Sequence, residues 1–396
     1  MCFSPFRVQI RCFIILLIML SACMTGRDFA HAQGVNLRNP QPPRTAPSYQ
    51  QQPTQPRPVA NQPLPPLDAQ AIAADPHSAI VRLLQANIRR RPTLTDSSPD
   101  KILAYCYPFG SQAMVFSNTG AQPMYAVGAL CWNYPCQGKT LFRINGEQVV
   151  ARVGYGYQQY PGSFLAMLAF SEILPDYEIK AGNDSRTLAH LIETEKRNCI
   201  RGQNLSLVLA GLAFYSKPDD RWSNTLGEAW SLERLVAEEL ARRADQSNAD
   251  VTNQLLGLAA AVRAGQAFGQ PLDGPFAEAA QQIQTYQRFA FSIQNSDGTW
   301  HPNFFVSKGT GNDSDSVLYA SAHILRALVY SLPQDQLQTS QVRNGVVAVA
   351  SMIAKKGVGT PLSQMSYRQL EGMTVGLHAL RIYDERVFGT DYSTLE

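Results

Sequence analysis

His323-Ile324-Leu325-Arg326 returns as His378-Ala379-Leu380-Arg381, and each copy sits in an apolar run that ends in a tyrosine, Tyr330 or Tyr383. The runs have helical rather than strand spacing, so the shared H-x-L-R marks two equivalent helices of an internal repeat. Other segments extend the series. Phe164-Leu165-Ala166-Met167-Leu168-Ala169, residues 205–214 and residues 255–262 are apolar nearly all round and rich in small side chains. A helix of that composition must be buried on every side. Between them lie amphipathic helices. In residues 231–243, Leu232, Leu235, Val236 and Leu240 oppose Glu233, Arg234, Glu238 and Arg242, and in residues 78–91 Ile80, Leu83, Leu84 and Ile88 share one face. Buried helices that recur every ~40–65 residues, alternating with exposed ones, predict stacked helical hairpins. The expected fold is all-α: an α/α toroid over residues 78–390, with an open solenoid as the alternative. One β-hairpin insertion is expected where Asn145-Gly146 separates residues 141–144 from residues 148–153.

The first 77 residues read differently. Arg7 and Arg11 precede an uncharged apolar run from Cys12 to Leu20, far short of the ~20 residues that span a bilayer. This is the form of an export signal over residues 1–22. Leu20-Ser21-Ala22-Cys23 has lipobox form and makes Cys23 the expected lipidation site, tethering the chain to a membrane surface. Ala30-His31-Ala32 offers an alternative cleavage after residue 32. Residues 23–77, dominated by proline and glutamine, are expected to be a disordered spacer. The expected localisation is therefore the cell envelope, lipid-anchored or secreted. The net charge is only +3, without the concentrated basic face of a nucleic-acid binder.

In an exported domain, an even set of cysteines predicts disulfides. Cys106, Cys131, Cys136 and Cys199 form such a set, and Cys106–Cys131 with Cys136–Cys199 is the favoured pairing of three. No closely spaced pair of cysteines suggests zinc, and no cofactor is expected.

Gln294-Asn295-Ser296-Asp297-Gly298-Thr299-Trp300 resembles the Q-x3-G-x-W core of the QW motif of squalene and terpenoid cyclases, which are α/α toroids. On this resemblance the glutamine caps the turn, the glycine permits it and the tryptophan packs on the next helix. More broadly, Tyr155-Gly156-Tyr157-Gln158, residues 227–234 and residues 383–388 resemble a family of exported proteins from planctomycete-type bacteria. That resemblance covers residues 80–390 and implies compartment and fold, but no reaction. The toroid's reactive relatives fit poorly. Asp313-Ser314-Asp315-Ser316 departs from the D-x-D-D acid cluster of class II terpene cyclases at its fourth position, where a second carboxyl is needed to hold a proton. The zinc ligands of protein prenyltransferases have no counterpart. Asn145-Gly146-Glu147-Gln148 carries asparagine where a complement-type thioester needs cysteine.

The candidate chemistry lies in the loop leading to the His323 helix. Asp313, Asp315 and His323 are the catalytic candidates, because acid–base work needs two carboxyls or a carboxyl with histidine or tyrosine. Trp300, His301, Tyr319, Glu371 and His378 are the binding candidates. Helix capping competes for Asp313 and Asp315, and core packing competes for both histidines. The expected function is a ligand- or partner-binding envelope module, its partner a small molecule or another envelope protein. A cyclase-, lyase- or hydrolase-like enzyme acting on a lipid or glycan is the alternative.

Overall fold

The computed structural model describes residues 67–118, 121–393 and 395. The export signal, Cys23, both cleavage sites and most of the proline- and glutamine-rich segment lie outside the described residues. Two described helices start before residue 78. Asp68 accepts the Ala71 N–H and starts helix α1 (Ala69–Ala74). Asp75 accepts the Ser78 N–H to start α2 (Pro76–Ile88), with Pro76 in the first turn, where its missing N–H costs nothing.

The other helices are α3 (Pro99–Phe109), α4 (Ala126–Cys131), α5 (Ser163–Phe170), α6 (Leu188–Arg197), α7 (Ser206–Tyr215), α8 (Leu232–Ala241), α9 (Ala249–Ala267), α10 (Gly274–Ile293), α11 (Ser314–Ser331), α12 (Ser340–Lys356) and α13 (Tyr367–Phe388). The residues expected to be buried all round fall in α5, α7 and α9. Every residue of α7 from Ser206 to Ala213 is buried. These helices pack mainly on one another: α3 on α5, α5 on α7, α7 on α9, α9 on α11, α11 on α13, and α13 on α3. Helices α8, α10 and α12 are amphipathic and turn one face outward. Close approach within the inner set depends on small residues. A Cβ added to Gly257 of α9 would lie 2.3 Å from the Ser206 carbonyl oxygen of α7.

The expected hairpin is present as β3 (Phe142–Asn145) and β4 (Gln148–Ala151), with Asn145 opposite Gln148. It is not alone. Among the described residues, β1 (Met114–Phe116) pairs with β2 (Pro123–Tyr125), β5 (Glu178–Ala181) with β6 (Asp184–Thr187), and β7 (Arg221–Ser223) with β8 (Ala229–Ser231), all antiparallel. The single insertion is thus corrected to four two-stranded hairpins on a mostly helical body.

The expected disulfides are also corrected. Cys106, Cys131, Cys136 and Cys199 are all free and buried. Cys136 Sγ contacts the Tyr134 carbonyl and Cys199 Sγ the Glu195 carbonyl, each at 3.4 Å. The four behave as small core residues. Burial pushes the Cys136 and Cys199 thiols up to about 12, so they stay protonated and unreactive.

Candidate functional site

The loop carboxyls are taken up by structure. Asp313 is the N-cap of α11 and accepts the Asp315 and Ser316 N–H groups at 3.1 and 3.2 Å. These bonds, with that from the Ser316 hydroxyl, hold its carboxyl below the usual range. Asp315 pairs with Lys356 at the end of α12 and accepts from Gln369 at the start of α13. The two acids therefore stitch helix ends together and do not converge on a reacting centre.

The QW-like segment is likewise structural. Gln294 Nε2 donates to the Gly298 carbonyl at 3.1 Å and to the Gln341 carbonyl of α12 at 3.0 Å. Trp300 is fully buried, and its indole N–H donates to the Ala290 carbonyl at 2.8 Å. His301 turns back on its own loop, with Nδ1 3.0 Å from the Asn303 nitrogen and the Ser307 hydroxyl. Neither side chain reaches the group around His323.

That group does form in part. His323 of α11 packs against Tyr319 with ring centroids 4.7 Å apart, and its Nε2 lies 3.5 Å from Glu371 Oε1 of α13. On the other side, His323 Nδ1 is 3.4 Å from an Arg326 nitrogen. A guanidinium has no acceptor, so Nδ1 is the unprotonated nitrogen and Nε2–H faces Glu371. At 3.5 Å that contact falls short of a well-made hydrogen bond. Burial lowers the His323 pKa, with Glu371 opposing, which leaves the ring neutral at pH 7. His378 stands apart, between Tyr107 and Phe170 at 5.7 and 5.6 Å. Burial, reinforced by Arg326 and Arg381, drives its pKa well below the usual value.

Beside His323 and Glu371 opens a crevice, lined at the starts of α3, α5, α7 and α13 by Asp100, Ser163, Leu207 and Tyr367, and further along by Tyr107, Asn253, Arg326 and Glu371. The segment before α5 adds Tyr157, Gln158 and Tyr160. The cavity between these side chains is small, with about 30 Å³ of space for water centres. Arg326 is 3% exposed and donates to Asn253 Oδ1 at 2.9 Å. It makes no ion pair with a carboxylate of the described residues. Its guanidinium lies 5.9 Å from the centre of the Tyr107 ring. Burial raises the Tyr107, Tyr319 and Tyr367 pKa values and pushes Tyr160 up to about 12, with Glu371 contributing to each, so all four present neutral hydroxyls.

Arg326, Asn253, Tyr107 and Tyr160 are site residues that sequence reasoning missed. The signal for Arg326 was available: a guanidinium in an otherwise apolar helix is expensive, and such a residue asks for a partner. Among the described residues no group of three His, Cys, Asp or Glu side chains is arranged to hold a metal ion, and no helix is long and apolar enough to cross a membrane. No protein-family model, curated protein or solved structure matches the chain.

Proposed function

We propose that the chain is an exported α/α-toroid module that binds a small ligand in the crevice beside Glu371 and Arg326. The run of contacts from α3 through α5, α7, α9, α11 and α13 and back to α3 supports the toroid over an open solenoid, whose first and last helices would not meet. The signal-like residues 1–22 and the lipobox cysteine Cys23 support export with a lipid anchor at the membrane surface. The observation that carries the binding role is the crevice itself. Amide, phenol, carboxyl and guanidinium groups converge from several helices on one narrow space, which is the make-up of a small-molecule site.

The enzyme reading moves with the geometry. If acid–base chemistry occurs, Glu371 with Tyr107, Tyr160 and Tyr367 is the set that lines the crevice, and Asp313 with Asp315 is not. Native mass spectrometry with solvent extraction, on the full chain, tests the proposal. A retained small molecule that Glu371→Gln or Tyr367→Phe releases supports the crevice. A bare polypeptide mass, or a molecule those variants retain, counts against it and turns the search to protein partners.

A further inference from the structure

We propose that the ligand of the crevice is a small hydroxylated organic acid, a monocarboxylate whose carboxylate is held by Arg326. The inference rests on the crevice being the ligand site and adds what it takes. Its main support is an imbalance of charge. Arg326 is nine-tenths buried and more, yet its acceptors are neutral, an amide oxygen of Asn253 and, at 3.4 Å, the His323 ring nitrogen. An isolated buried cation costs several kcal/mol, and folded proteins answer that cost with a carboxylate partner. Here the described residues supply none within ion-pairing distance, while Arg326 lines the recess.

Size and polarity narrow the class. Space of about 30 Å³ for water centres holds roughly two waters at 10–15 Å³ each, about the room of one carboxylate group. First-turn residues of four helices line the recess, and the positive dipole end of a helix start favours an anion. Two carboxyl side chains, Asp100 and Glu371, line the same recess. They disfavour a dianion such as phosphate, but they accept hydrogen bonds well from ligand hydroxyls. Tyr160 and Tyr367 add phenol groups. A carboxylate inside, with a hydroxylated body toward the opening, satisfies each of these groups.

The test is calorimetric titration of the full chain with sodium D-glucuronate, D-glucose and sodium phosphate as probes, on wild type and Arg326→Met. Glucuronate is expected to bind, with glucose and phosphate at least about tenfold weaker, and Arg326→Met is expected to weaken glucuronate at least about tenfold. Thermal melting supplies a second readout: without ligand, Arg326→Met should melt no lower than wild type, since removing an unpaired buried charge relieves the fold. The proposal is overturned if glucuronate does not bind, if phosphate or glucose binds as tightly, or if Arg326→Met binds glucuronate unchanged. It is equally overturned if that variant melts far lower or fails to fold, because the arginine would then be a structural group. Glucose binding that Glu371→Gln weakens and Arg326→Met does not would remove the acid yet keep the crevice as the ligand site. No response to any probe, together with a bare mass, removes both.

Discussion

Glu239 Oε2 accepts the Ser206 hydroxyl at 2.7 Å while its Oε1 accepts the Leu205 N–H at 2.8 Å. One carboxylate of α8, 1% exposed, thus caps the start of α7, whose own N-cap residue, Leu205, has no side-chain oxygen to offer. Arg242 pairs with Glu239 at 3.1 Å and with Asp250, in the first turn of α9, at 2.8 Å. Three helices therefore meet at one charge network. Glu239→Ala should cost about 3 kcal/mol, because it leaves two buried donors unsatisfied and takes from Arg242 one of its two carboxylate partners. Urea denaturation of the variant beside wild type measures the loss, and a change below about 1 kcal/mol would contradict this account.

Gly298 and Gly146 make a paired test of backbone freedom. Both have positive φ, +85° and +59°. A Cβ on Gly298 would stand 2.2 Å from the Asn344 carbonyl oxygen, whereas a Cβ on Gly146 meets nothing within 4 Å. Gly146→Ala should cost only the conformational penalty, about 1–2 kcal/mol. Gly298→Ala adds a backbone clash and should be clearly the worse of the two by thermal melting. Equal effects would show that the contact between the QW-like turn and α12 can yield.

Glu195, buried in α6, carries a pH signature. Burial raises its carboxyl to about 7 from an ordinary 4.5. The folded state therefore holds a proton that the unfolded chain releases. Its contribution to stability is fully present below pH 4.5 and is lost as pH rises through 7. Glu195→Gln should match wild type near pH 4.5 and exceed it above pH 7, by up to about 3 kcal/mol. Denaturation of both proteins across that range isolates the effect from other titrating groups, and parallel pH profiles would refute it.

Asp313 and Asp315 separate structure from chemistry. Asp313→Asn should lower the melting temperature slightly and leave the retained ligand unchanged, since asparagine still caps a helix. Because hydrogen bonds depress the Asp313 carboxyl below 3.8, its contribution holds at neutral pH and disappears as the solution is acidified below that value. Asp315→Ala should loosen the join between α11, α12 and α13. Loss of ligand in native mass spectra of either variant would return the loop to the site.

Much of this arrangement was legible in the residues. The contrast between all-round apolar segments such as residues 205–214 and amphipathic ones such as residues 231–243 separates inner from outer helices. Of the candidates, Tyr319, His323 and Glu371 come together, while His378 stands apart. What escaped reading has physical reasons. The hairpin of β5 and β6 is polar, with Asp184-Ser185-Arg186-Thr187 burying little, so its strands show no apolar alternation. The cysteine pairing assumed proximities that only packing decides. His323 and His378 share a motif yet lie in different surroundings, because sequence repeats fix helix position and not what the neighbouring helices present. Arg326 belonged to that same motif, but its importance depends on the absence of a counter-charge, which no local pattern records.

Arg381 of α13 donates to the Pro108 carbonyl at the end of α3 at 3.0 Å, across a sequence separation of 273 residues. At roughly 5–20 residues made per second, α3 waits on the order of 15–50 s for the helix that covers it. During that interval no improvement in the early helices can shield the apolar side of α3, since its cover has not been synthesised. The competition between folding and aggregation is then set by the length of chain still to come, and the first third of the molecule is the part that needs custody while it is being made.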